Sequence, residues 1–321
     1  MGTQAALVAL DWGTTSLRAY LLDLSGNSLA ERNLPLGLMQ LAPLPDGHRD
    51  FLSAFKTACL DWLERWPRAP VIACGMVGSA QGWRQAEYVD IPVHPADVCK
   101  HLLRVDTGLG VPLWIVPGIR KMAGLPDVIR GEETQVIGAM EHVSAASSLL
   151  IGLPGTHSKW VRVEAGVLRT FDTFMTGEVY SALHGHTILG QLMADGPEDW
   201  AAFDRGVAVA ASPEGEKGLL STLFSVRTLG LTGKIPETGL ADYLSGLLIG
   251  YELGAVARMR AHSADGPLRL VLCGTHGLVG RYERALKADS VWADVRLLED
   301  SSRLGLWKVA QGAGLLQAAA A

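Results

Sequence analysis

The chain is poor in cysteine and has no excess of basic residues. Its four cysteines, Cys59, Cys74, Cys99 and Cys273, form no CxxC pair. Because each lies in or beside an apolar segment, we expect buried thiols in a reducing compartment, and therefore a cytoplasmic protein. With 28 Lys and Arg against 33 Asp and Glu, the formal net charge is −5. Nucleic acids and anionic membrane surfaces are therefore not the expected partners.

Long apolar runs and several familiar catalytic motifs are also missing. No uncharged apolar run reaches the roughly 18 residues of a membrane helix, and no basic, signal-like segment precedes the first apolar strand, so we expect neither a membrane span nor a secretory signal. No GxxxxGK[ST] phosphate loop, GxGxxG fingerprint or GxSxG elbow occurs. Apolar residues make up 48% of the 321 positions, which is typical of a globular protein, and the length predicts about two domains.

What the chain does contain is a glycine turn between two apolar runs, present in two copies. The first copy is Asp11-Trp12-Gly13-Thr14-Thr15-Ser16, and the second, Gly155-Thr156-His157-Ser158, lies 142 positions later when counted from Gly13 to Gly155. Such a turn presents backbone N–H groups and hydroxyls to an anion. Two phosphate-binding hairpins in two halves of one chain predict a nucleotide held in a cleft between two related lobes.

The two copies differ where the first carries Asp11 and the second carries Leu153. One carboxylate suffices to orient a single hydrated Mg²⁺, and a second would repel a triphosphate, so Asp11 is the predicted metal-orienting residue, acting through water. The alternative interpretation is a plain hairpin in which Gly13 supplies a positive φ. In the first interpretation the phosphates would be positioned and their charge neutralised by Mg²⁺ together with Lys159 and the hydroxyls of Thr14, Thr15, Thr156 and Ser158.

A second candidate group surrounds Arg130-Gly131-Glu132-Glu133, at a predicted junction between a loop and a helix. A carboxylate at this place could accept a proton from a substrate hydroxyl, while Arg130 could bind a carboxylate or the transferred phosphoryl group. The spacing does not separate Glu132 from Glu133 as the base. Acidic residues also favour the first turn of any helix, so a solvated helix start is the alternative.

Two further junctions contain glycine. Gly274-Thr275 follows an apolar strand and precedes a helix, so an adenosine could lie against its backbone, although an ordinary strand–helix connection has the same pattern. Thr176-Gly177-Glu178 opens a predicted helix and could line the cleft, while a capping role for Thr176 is the alternative. Most of the nine tryptophans are expected in the core, although Trp12 and Trp83 lie beside suspected loops and could border a sugar.

The predicted secondary structure repeats along the chain. Residues 5–34 and 148–173 each indicate three strands around a glycine turn. Apolar residues at three- and four-residue steps predict helices over 50–66 and 241–260, and a last helix is expected over 302–318.

Six segments spread over nearly the whole chain carry a resemblance to a known family. They are LDWGTTSLRAYLLD, ACGMVGSAQGW, DVIRGEETQ, LPGTHSKWV, FMTGEVY and YLSGLLIGYEL. Together they resemble the 2-dehydro-3-deoxygalactonokinase family. The resemblance implies a kinase that uses ATP and Mg²⁺ to phosphorylate the terminal 6-hydroxyl of 2-dehydro-3-deoxy-D-galactonate, in galactonate and galactose breakdown.

The resemblance also implies the actin, hexokinase and Hsp70 ATPase superfamily. The expected fold class is therefore α/β, with two ribonuclease-H-like lobes, each a three-strand meander in a mixed sheet flanked by helices, and a cleft between them. The Ala/Ser-rich stretch 144–148 marks the predicted boundary between an N-terminal lobe, 1–145, and a C-terminal lobe, 146–321. The first lobe would carry the first phosphate motif and sugar-acid contacts, and the second lobe the second phosphate motif and the adenosine site.

The resemblance further assigns candidate substrate contacts. The Asp11 and Gly155 turns would be the two phosphate motifs, and Gly274-Thr275 falls at the adenosine motif, although it departs from the family's usual Gly-Gly pair. Because the substrate is an α-keto acid anion, a guanidinium must meet its carboxylate, and Arg84 and Arg130 are the candidates. The other expected substrate contacts are Gly78, Ser79, Trp83 and Glu178.

Three other functions stay open at this point. A phosphatase of the same superfamily would use a glutamate to activate water, and a different sugar acid could be the acceptor of a kinase. A non-catalytic, actin-like nucleotide switch would bind a partner or polymerise, and large insertions expected of a filament former are not seen in this compact chain. A homodimer is an assembly that the chain could form.

Overall fold

The computed structural model describes residues 4–45, 47–142, 148–261, 269–287 and 295–316. The strands in these ranges are β1 (Leu7–Trp12), β2 (Leu17–Leu22), β3 (Ser28–Leu34), β4 (Val71–Gly75), β5 (Tyr88–Asp90), β6 (Leu103–Val105), β7 (Leu113–Ile115), β8 (Gly118–Lys121), β9 (Asp127–Ile129), β10 (Leu149–Leu153), β11 (Ser158–Glu164), β12 (Val167–Phe174), β13 (Arg269–Cys273) and β14 (Val295–Leu298). The helices are α1 (Phe51–Arg65), α2 (Pro95–Val98), α3 (Glu132–Met140), α4 (Thr176–His186), α5 (Trp200–Ala210), α6 (Leu219–Leu223), α7 (Ser225–Leu231), α8 (Leu240–Ala261), α9 (His276–Lys287) and α10 (Ser301–Gly312). Short 3₁₀ turns lie between some of them.

The contacts divide the chain into two compact units. Unit 1 comprises Met1–Ser147, Val161–Phe171 and Asp300–Ala321, and unit 2 comprises Ser148–Trp160 and Asp172–Glu299. The sequence-based division at 145/146 differs from this in assigning both Val161–Phe171 and the last helix to the second lobe. Residues 143–147, which contain most of the predicted boundary stretch, lie outside the described residues.

The main sheet of unit 1 has the strand order β3-β2-β1-β4-β7-β6. β1 pairs antiparallel with β2 and parallel with β4, and β4 pairs parallel with β7. All six residues of β1 are buried, as is typical of a strand at the centre of a sheet that is covered on both faces. The run of apolar residues therefore ends, at Asp11 and Trp12, on the edge where the carboxyl ends of the parallel strands meet.

The second sheet has the order β12-β11-β10-β13-β14 and repeats this arrangement. β10 is again fully buried and pairs parallel with β13, which pairs parallel with β14. In both sheets the first three strands lie side by side, and the fourth and fifth follow beyond the first. The predicted α/β fold, with a meander of ribonuclease-H type in each of two mixed sheets, is confirmed.

The last helix, α10, packs on α3 within unit 1. Most of its apolar residues are buried, and Lys308 Nζ lies 2.7 Å from Glu141 Oε2, just after the end of α3. The helix expected over 302–318 ends at Gly312, and residues 317–321 lie outside the described part. α10 therefore supports the segment that begins with Glu132 and Glu133.

Unit 1 also contains a small sheet, β5-β8-β9, that the sequence patterns do not predict. β9 runs directly into Arg130 and the start of α3, so this sheet fixes the approach of the chain to that junction. In unit 2, α8 is buried along much of its length and forms the centre of an apolar cluster with α5 and α7. Among the helices of the described residues, none has the length and apolarity needed to cross a membrane.

Candidate functional site

The first glycine loop, residues 13–16, connects β1 to β2 and rests on residues 37–39. Three N–H groups of residues 37–39 donate to the carbonyls of Gly13, Thr14 and Thr15, at 2.9 to 3.3 Å. A Cβ at Gly37 would clash with the backbone of the loop, so glycine permits this close approach. Because the C=O and N–H of a peptide unit point in opposite directions, the following loop N–H groups face away from residues 37–39, as an anion-binding turn requires.

The hairpin alternative assumed a positive φ at Gly13, and that assumption is wrong. Gly13 is not among the described glycines with positive φ, and its N–H donates to the Ser16 carbonyl at 2.9 Å. The turn is closed by this hydrogen bond. Thr14 and Thr15 are exposed at its tip, while Ser16 is half-buried.

Asp11 is the second-last residue of β1 and is 8% exposed. Its Oδ2 lies 2.7 Å from Nη2 of Arg18, and its Oδ1 lies 3.9 Å from the Cys74 thiol. Burial, followed by the charges of Asp11 and Glu133, raises the pKa of the Cys74 thiol, so the thiol is neutral. Arg18 is a partner that the motif did not reveal, although counting the hairpin register from the turn places it opposite Asp11.

The donor set around Asp11 is compatible with a hydrated Mg²⁺. Mg²⁺ keeps several of its waters and is usually held by one or two carboxylates together with substrate phosphates. Within the described ranges, no three His, Cys, Asp or Glu side chains are grouped so that they could hold a metal ion by themselves. A single carboxylate beside a loop with exposed hydroxyls fits an ion held largely by phosphates.

The start of α3 lies against the ends of β1 and β4. Gly131 has a φ of 108°, and a Cβ there would lie 3.2 Å from the Gly75 Cα. Gly75 has a φ of 90°, and a Cβ there would lie 2.5 Å from the Trp12 carbonyl oxygen. These two glycines let three backbone segments meet at the carboxyl edge of the parallel strands, which is where open α/β sheets bind ligands.

The two glutamates at this junction have different environments. Glu133 is fully buried, and its carboxylate accepts the Gly131 N–H at 2.6 Å and the Thr134 hydroxyl at 3.1 Å. Burial, and then the charge of Glu132, raises the pKa of Glu133 to about 7. Glu132 is half-buried, and its Oε2 accepts the Arg130 N–H at 2.9 Å. Glu132 is therefore the member of the pair that reaches the surface.

Arg130 has donors that its neighbours do not use. Its Nη2 donates to the Ala86 carbonyl at 2.8 Å, and its guanidinium carbon lies 4.3 Å from the centre of the Tyr88 ring. Its Nε and Nη1 are buried and find no hydrogen-bond partner among the described residues, and the same is true of Ser79 Oγ. A Cβ at Gly78 would lie 2.9 Å from Nη1 of Arg130. Three predicted substrate residues therefore lie together.

The other predicted substrate contacts of unit 1 have different environments. Arg84 is exposed, and its backbone N–H donates to the Val77 carbonyl at 3.4 Å. Trp83 is half-buried, and its ring stacks on that of Phe51 with centroids 6.1 Å apart. Trp12 is fully buried, so the expectation that it borders a sugar is wrong. Both tryptophans belong to the apolar core beneath the first loop.

The second glycine loop, residues 155–158, lies against the start of α4. The Glu178 N–H donates to the Thr156 carbonyl at 2.9 Å, and the exposed side chains of His157 and Glu178 are hydrogen-bonded to each other. Thr156 is exposed, but Ser158 is fully buried, with its hydroxyl 3.0 Å from the Tyr282 hydroxyl. The prediction that the Ser158 hydroxyl faces a phosphate does not fit this geometry, because β11 begins at Ser158 and directs its side chain into the core. Lys159 is also buried.

Gly274 and Thr275 lie at the carboxyl end of β13, near the second loop. Gly274 has a φ of 152°, and a Cβ there would lie 3.8 Å from the Pro154 carbonyl oxygen. Thr275 is exposed, and its carbonyl accepts the N–H of Val279 in the first turn of α9. A pocket of about 220 Å³ lies in the same unit, and its lining includes Gly155, Gly177, Tyr180, Leu278 and Arg281. Unit 2 therefore combines the glycine loop with a pocket at one edge of its sheet.

Known sequences match nearly the whole chain. The sequence model of the 2-keto-3-deoxy-galactonokinase family matches residues 11–309. The 2-dehydro-3-deoxygalactonokinase of Escherichia coli (strain K12) is 34% identical over 290 residues, which cover 88% of this chain and 90% of the relative. The inferred 2-dehydro-3-deoxygalactonokinase DgoK1 of Rhizobium meliloti (strain 1021) is 35% identical over 315 residues, 95% of this chain and 97% of that protein.

Solved structures also match the chain. A crystal structure from Sinorhizobium meliloti, of an inferred 2-dehydro-3-deoxygalactonokinase, matches with a TM-score of 0.77 and 33% identity, covering 95% of this chain and 98% of that one. An activator of 2-hydroxyisocaproyl-CoA dehydratase from Clostridium difficile, solved with bound ADPNP, matches with a TM-score of 0.51 and 10% identity over 98% of this chain and 99% of that one, which shows the fold alone. The chain belongs to the 2-keto-3-deoxy-galactonokinase family.

Proposed function

We propose that the protein transfers the γ-phosphoryl group of ATP to the terminal 6-hydroxyl of 2-dehydro-3-deoxy-D-galactonate, in galactonate and galactose breakdown. The name of the family and that of its Escherichia coli relative support this acceptor. The structural observation that carries the proposal is the group of unused buried donors at Arg130 and Ser79.

Arg130 is the proposed partner of the substrate carboxylate. A buried donor without an acceptor costs about 1–3 kcal/mol, so two such nitrogens on one cation favour an anionic ligand. The Ser79 hydroxyl would accept or donate a further hydrogen bond to the same ligand. Arg84 is exposed and lacks this environment. We therefore assign the carboxylate to Arg130.

Glu132 is the proposed base that accepts the proton of the 6-hydroxyl. A general base must come within hydrogen-bonding distance of that hydroxyl. Glu132 is half-buried at the start of α3, whereas Glu133 is fully buried with both carboxylate oxygens engaged. Glu133 would then hold the Gly131 N–H and keep the α3 start in place.

The nucleotide is proposed to bind through both glycine loops, with its adenosine in the pocket of unit 2. The backbone N–H groups of residues 14–16 face away from their supporting segment, and Thr14, Thr15 and Thr156 are exposed. These groups would surround phosphate oxygens and stabilise the charge of the transition state. That one triphosphate meets both loops stays a prediction.

Mg²⁺, a cytoplasmic location and a homodimer complete the proposal. Bound Mg²⁺ would neutralise charge on the phosphates, and Asp11 would orient it through a water. All four cysteines are free and buried, which supports a reducing compartment.

The exposed apolar side chains of Met122, Leu125 and Val128, on and beside the β8–β9 hairpin, support a homodimer. Sedimentation of the pure protein tests that assembly.

Incubation with ATP, Mg²⁺ and a panel of 2-keto-3-deoxy sugar acids separates the functions that the sequence left open. A kinase forms ADP in amounts that depend on the sugar acid, without free phosphate. A phosphatase releases free phosphate, and a nucleotide switch binds ATP without any response to the sugar acid. Formation of ADP that is independent of every acid in the panel would contradict the proposal. The panel also shows whether the galactonate or the gluconate epimer is preferred.

A further inference from the structure

Three polar side chains of unit 2 donate hydrogen bonds to the carboxylate of Glu252, in the middle of α8, and a fourth joins them indirectly. Glu252 is 3% exposed, and its Oε1 accepts the indole N–H of Trp160 at 2.6 Å. Its Oε2 accepts the Tyr282 hydroxyl at 2.7 Å and the Thr176 hydroxyl. The Ser158 hydroxyl joins the group through Tyr282. One carboxylate thus connects β11, α4, α8 and α9.

This arrangement costs folding free energy if its only role is to stabilise the core. A buried carboxylate loses its hydration, and well-packed apolar residues often serve a core equally well. Burial raises the pKa of Glu252, while the hydrogen bonds from Thr176, Trp160 and Tyr282 lower it. Each of these three donors is directed at the carboxylate by a different element, so Glu252 determines where those elements meet.

Two of the elements directly support the second glycine loop. Trp160 follows the loop in β11, two residues beyond Ser158. Thr176 opens α4, and a Cβ at the next residue, Gly177, would lie 2.5 Å from the Gly155 carbonyl oxygen. The Glu178 N–H in the same helical turn donates to the Thr156 carbonyl at 2.9 Å. Glu252 therefore holds both the end of the loop and the helix that supports it.

The same network also forms part of the wall of the 220 Å³ pocket. Thr176 and Tyr282, which both donate to Glu252, line this pocket together with Gly155. Glu252 does not line it. A shift of the carboxylate would therefore move the loop and the pocket wall together.

We propose that Glu252 is a positioning residue for the nucleotide, which fixes the 155–158 loop against α4 and the pocket wall so that the loop backbone meets the phosphates. This inference rests on the proposed function, in which this loop binds the phosphates of ATP. It explains why Ser158 and Glu252, which lie in two separate motifs, are polar although both are buried.

The test is the Glu252→Gln variant, which keeps the shape of the side chain but has only one acceptor oxygen. We expect the Kd for ADP, measured by calorimetry, and the KM for ATP to rise about tenfold, the scale of one hydrogen bond to a charged group. The KM for the sugar acid is expected to stay at the wild-type value. A purely structural role would lower the Tm and leave the Kd of the folded protein unchanged.

Two further variants keep the test decisive. Tyr282→Phe removes only the hydroxyl that connects Ser158 to Glu252, and it should weaken ADP binding in the same direction even if Glu252→Gln does not fold. Tyr251→Phe is the matched control, because it removes a hydroxyl from the adjacent residue of α8 that bonds Gly215 and Thr222 and not the loop. We expect its Kd for ADP to equal that of the wild type.

The outcomes distinguish a failure of this inference from a failure of the proposed function. Wild-type protein that binds no ADP would overturn the proposed function, and the inference with it. Wild-type protein that binds ADP, together with Glu252→Gln and Tyr282→Phe variants of unchanged Kd, would overturn the inference alone.

Discussion

Asp11 and Arg18 face each other across the first hairpin, with Oδ2 and Nη2 2.7 Å apart. The pair places one carboxylate beside the first glycine loop and partly neutralises it. The arginine side chain is 40% exposed and that of Asp11 is 11% exposed, so the arginine can move away from the loop more easily than the aspartate. Asp11 thus has a fixed position, while the Arg18 guanidinium beside it can give way to another cation.

Asp11→Asn should leave the fold intact and lower kcat by about a hundredfold or more, because the amide cannot supply the charge that orients the metal. Steady-state kinetics and a melting curve check this. Arg18→Gln removes the same ion pair but keeps the carboxylate, and a smaller loss of kcat is expected. Normal turnover by Asp11→Asn would rule out the metal-orienting role.

The two glutamates of α3 should respond differently to the same substitution. Glu132→Gln should lower kcat by about 10²–10⁴-fold, the range for loss of a general base. Glu133→Gln should keep a much larger share of kcat, because that side chain is buried and bound to Gly131 and Thr134. Single-turnover rates of phosphoryl transfer measure the difference. If Glu133→Gln alone loses turnover, the assignment of the base is reversed.

Glu133 also predicts a pH dependence of stability. Its pKa of about 7 in the folded protein lies above its ordinary value of 4.5, so the folded state holds a proton that the unfolded chain has lost between these values. The contribution of Glu133 to the free energy of unfolding therefore falls as pH rises from about 4.5 to about 7, by an amount on the order of 3 kcal/mol.

Denaturant unfolding at several pH values, with wild type and Glu133→Gln in parallel, tests this slope. The glutamine variant lacks the titrating group, so its free energy of unfolding should change less over this interval. Equal slopes in the two proteins would show that Glu133 does not titrate there.

Arg130→Lys should raise the KM for the sugar acid by about 10–100-fold and leave the KM for ATP near its wild-type value. A lysine cannot reproduce the planar set of donors that the buried guanidinium offers to a carboxylate. Arg84→Lys is the comparison, since the sequence made both arginines candidates and Arg84 is exposed. A larger effect at Arg84 than at Arg130 would contradict the assignment of the carboxylate.

Much of the fold could be predicted because its signals are local. The buried strands β1 and β10 are continuous apolar runs that end in glycine turns, and α1 and α8 have helical spacing, so all four were expected near their observed bounds. The β5-β8-β9 sheet was not expected, since strands of three or four residues are too short to show a period. The place of α10 in unit 1 depends on contacts with α3, which no local pattern records.

The residue types of the site could be predicted from the sequence, but the directions in which their side chains point could be predicted less well. The motifs marked Asp11, Arg130 and both loops, because glycines, hydroxyls and charges stand together in the sequence. They could not show that Ser158 faces the core, since that depends on the face of β11. Nor could they show the unused nitrogens of Arg130, because an unsatisfied donor is defined by what surrounds it in the folded protein.

The central claim is the transfer of phosphate from ATP to the terminal hydroxyl of the keto-deoxy acid, and ³¹P and ¹H NMR of the reaction mixture tests it most directly. With ATP, Mg²⁺ and 2-dehydro-3-deoxy-D-galactonate, we expect a phosphate ester whose phosphorus couples to the protons on C6, formed in step with ADP. Unmodified sugar acid beside free inorganic phosphate, or an ester at another carbon, would contradict the account.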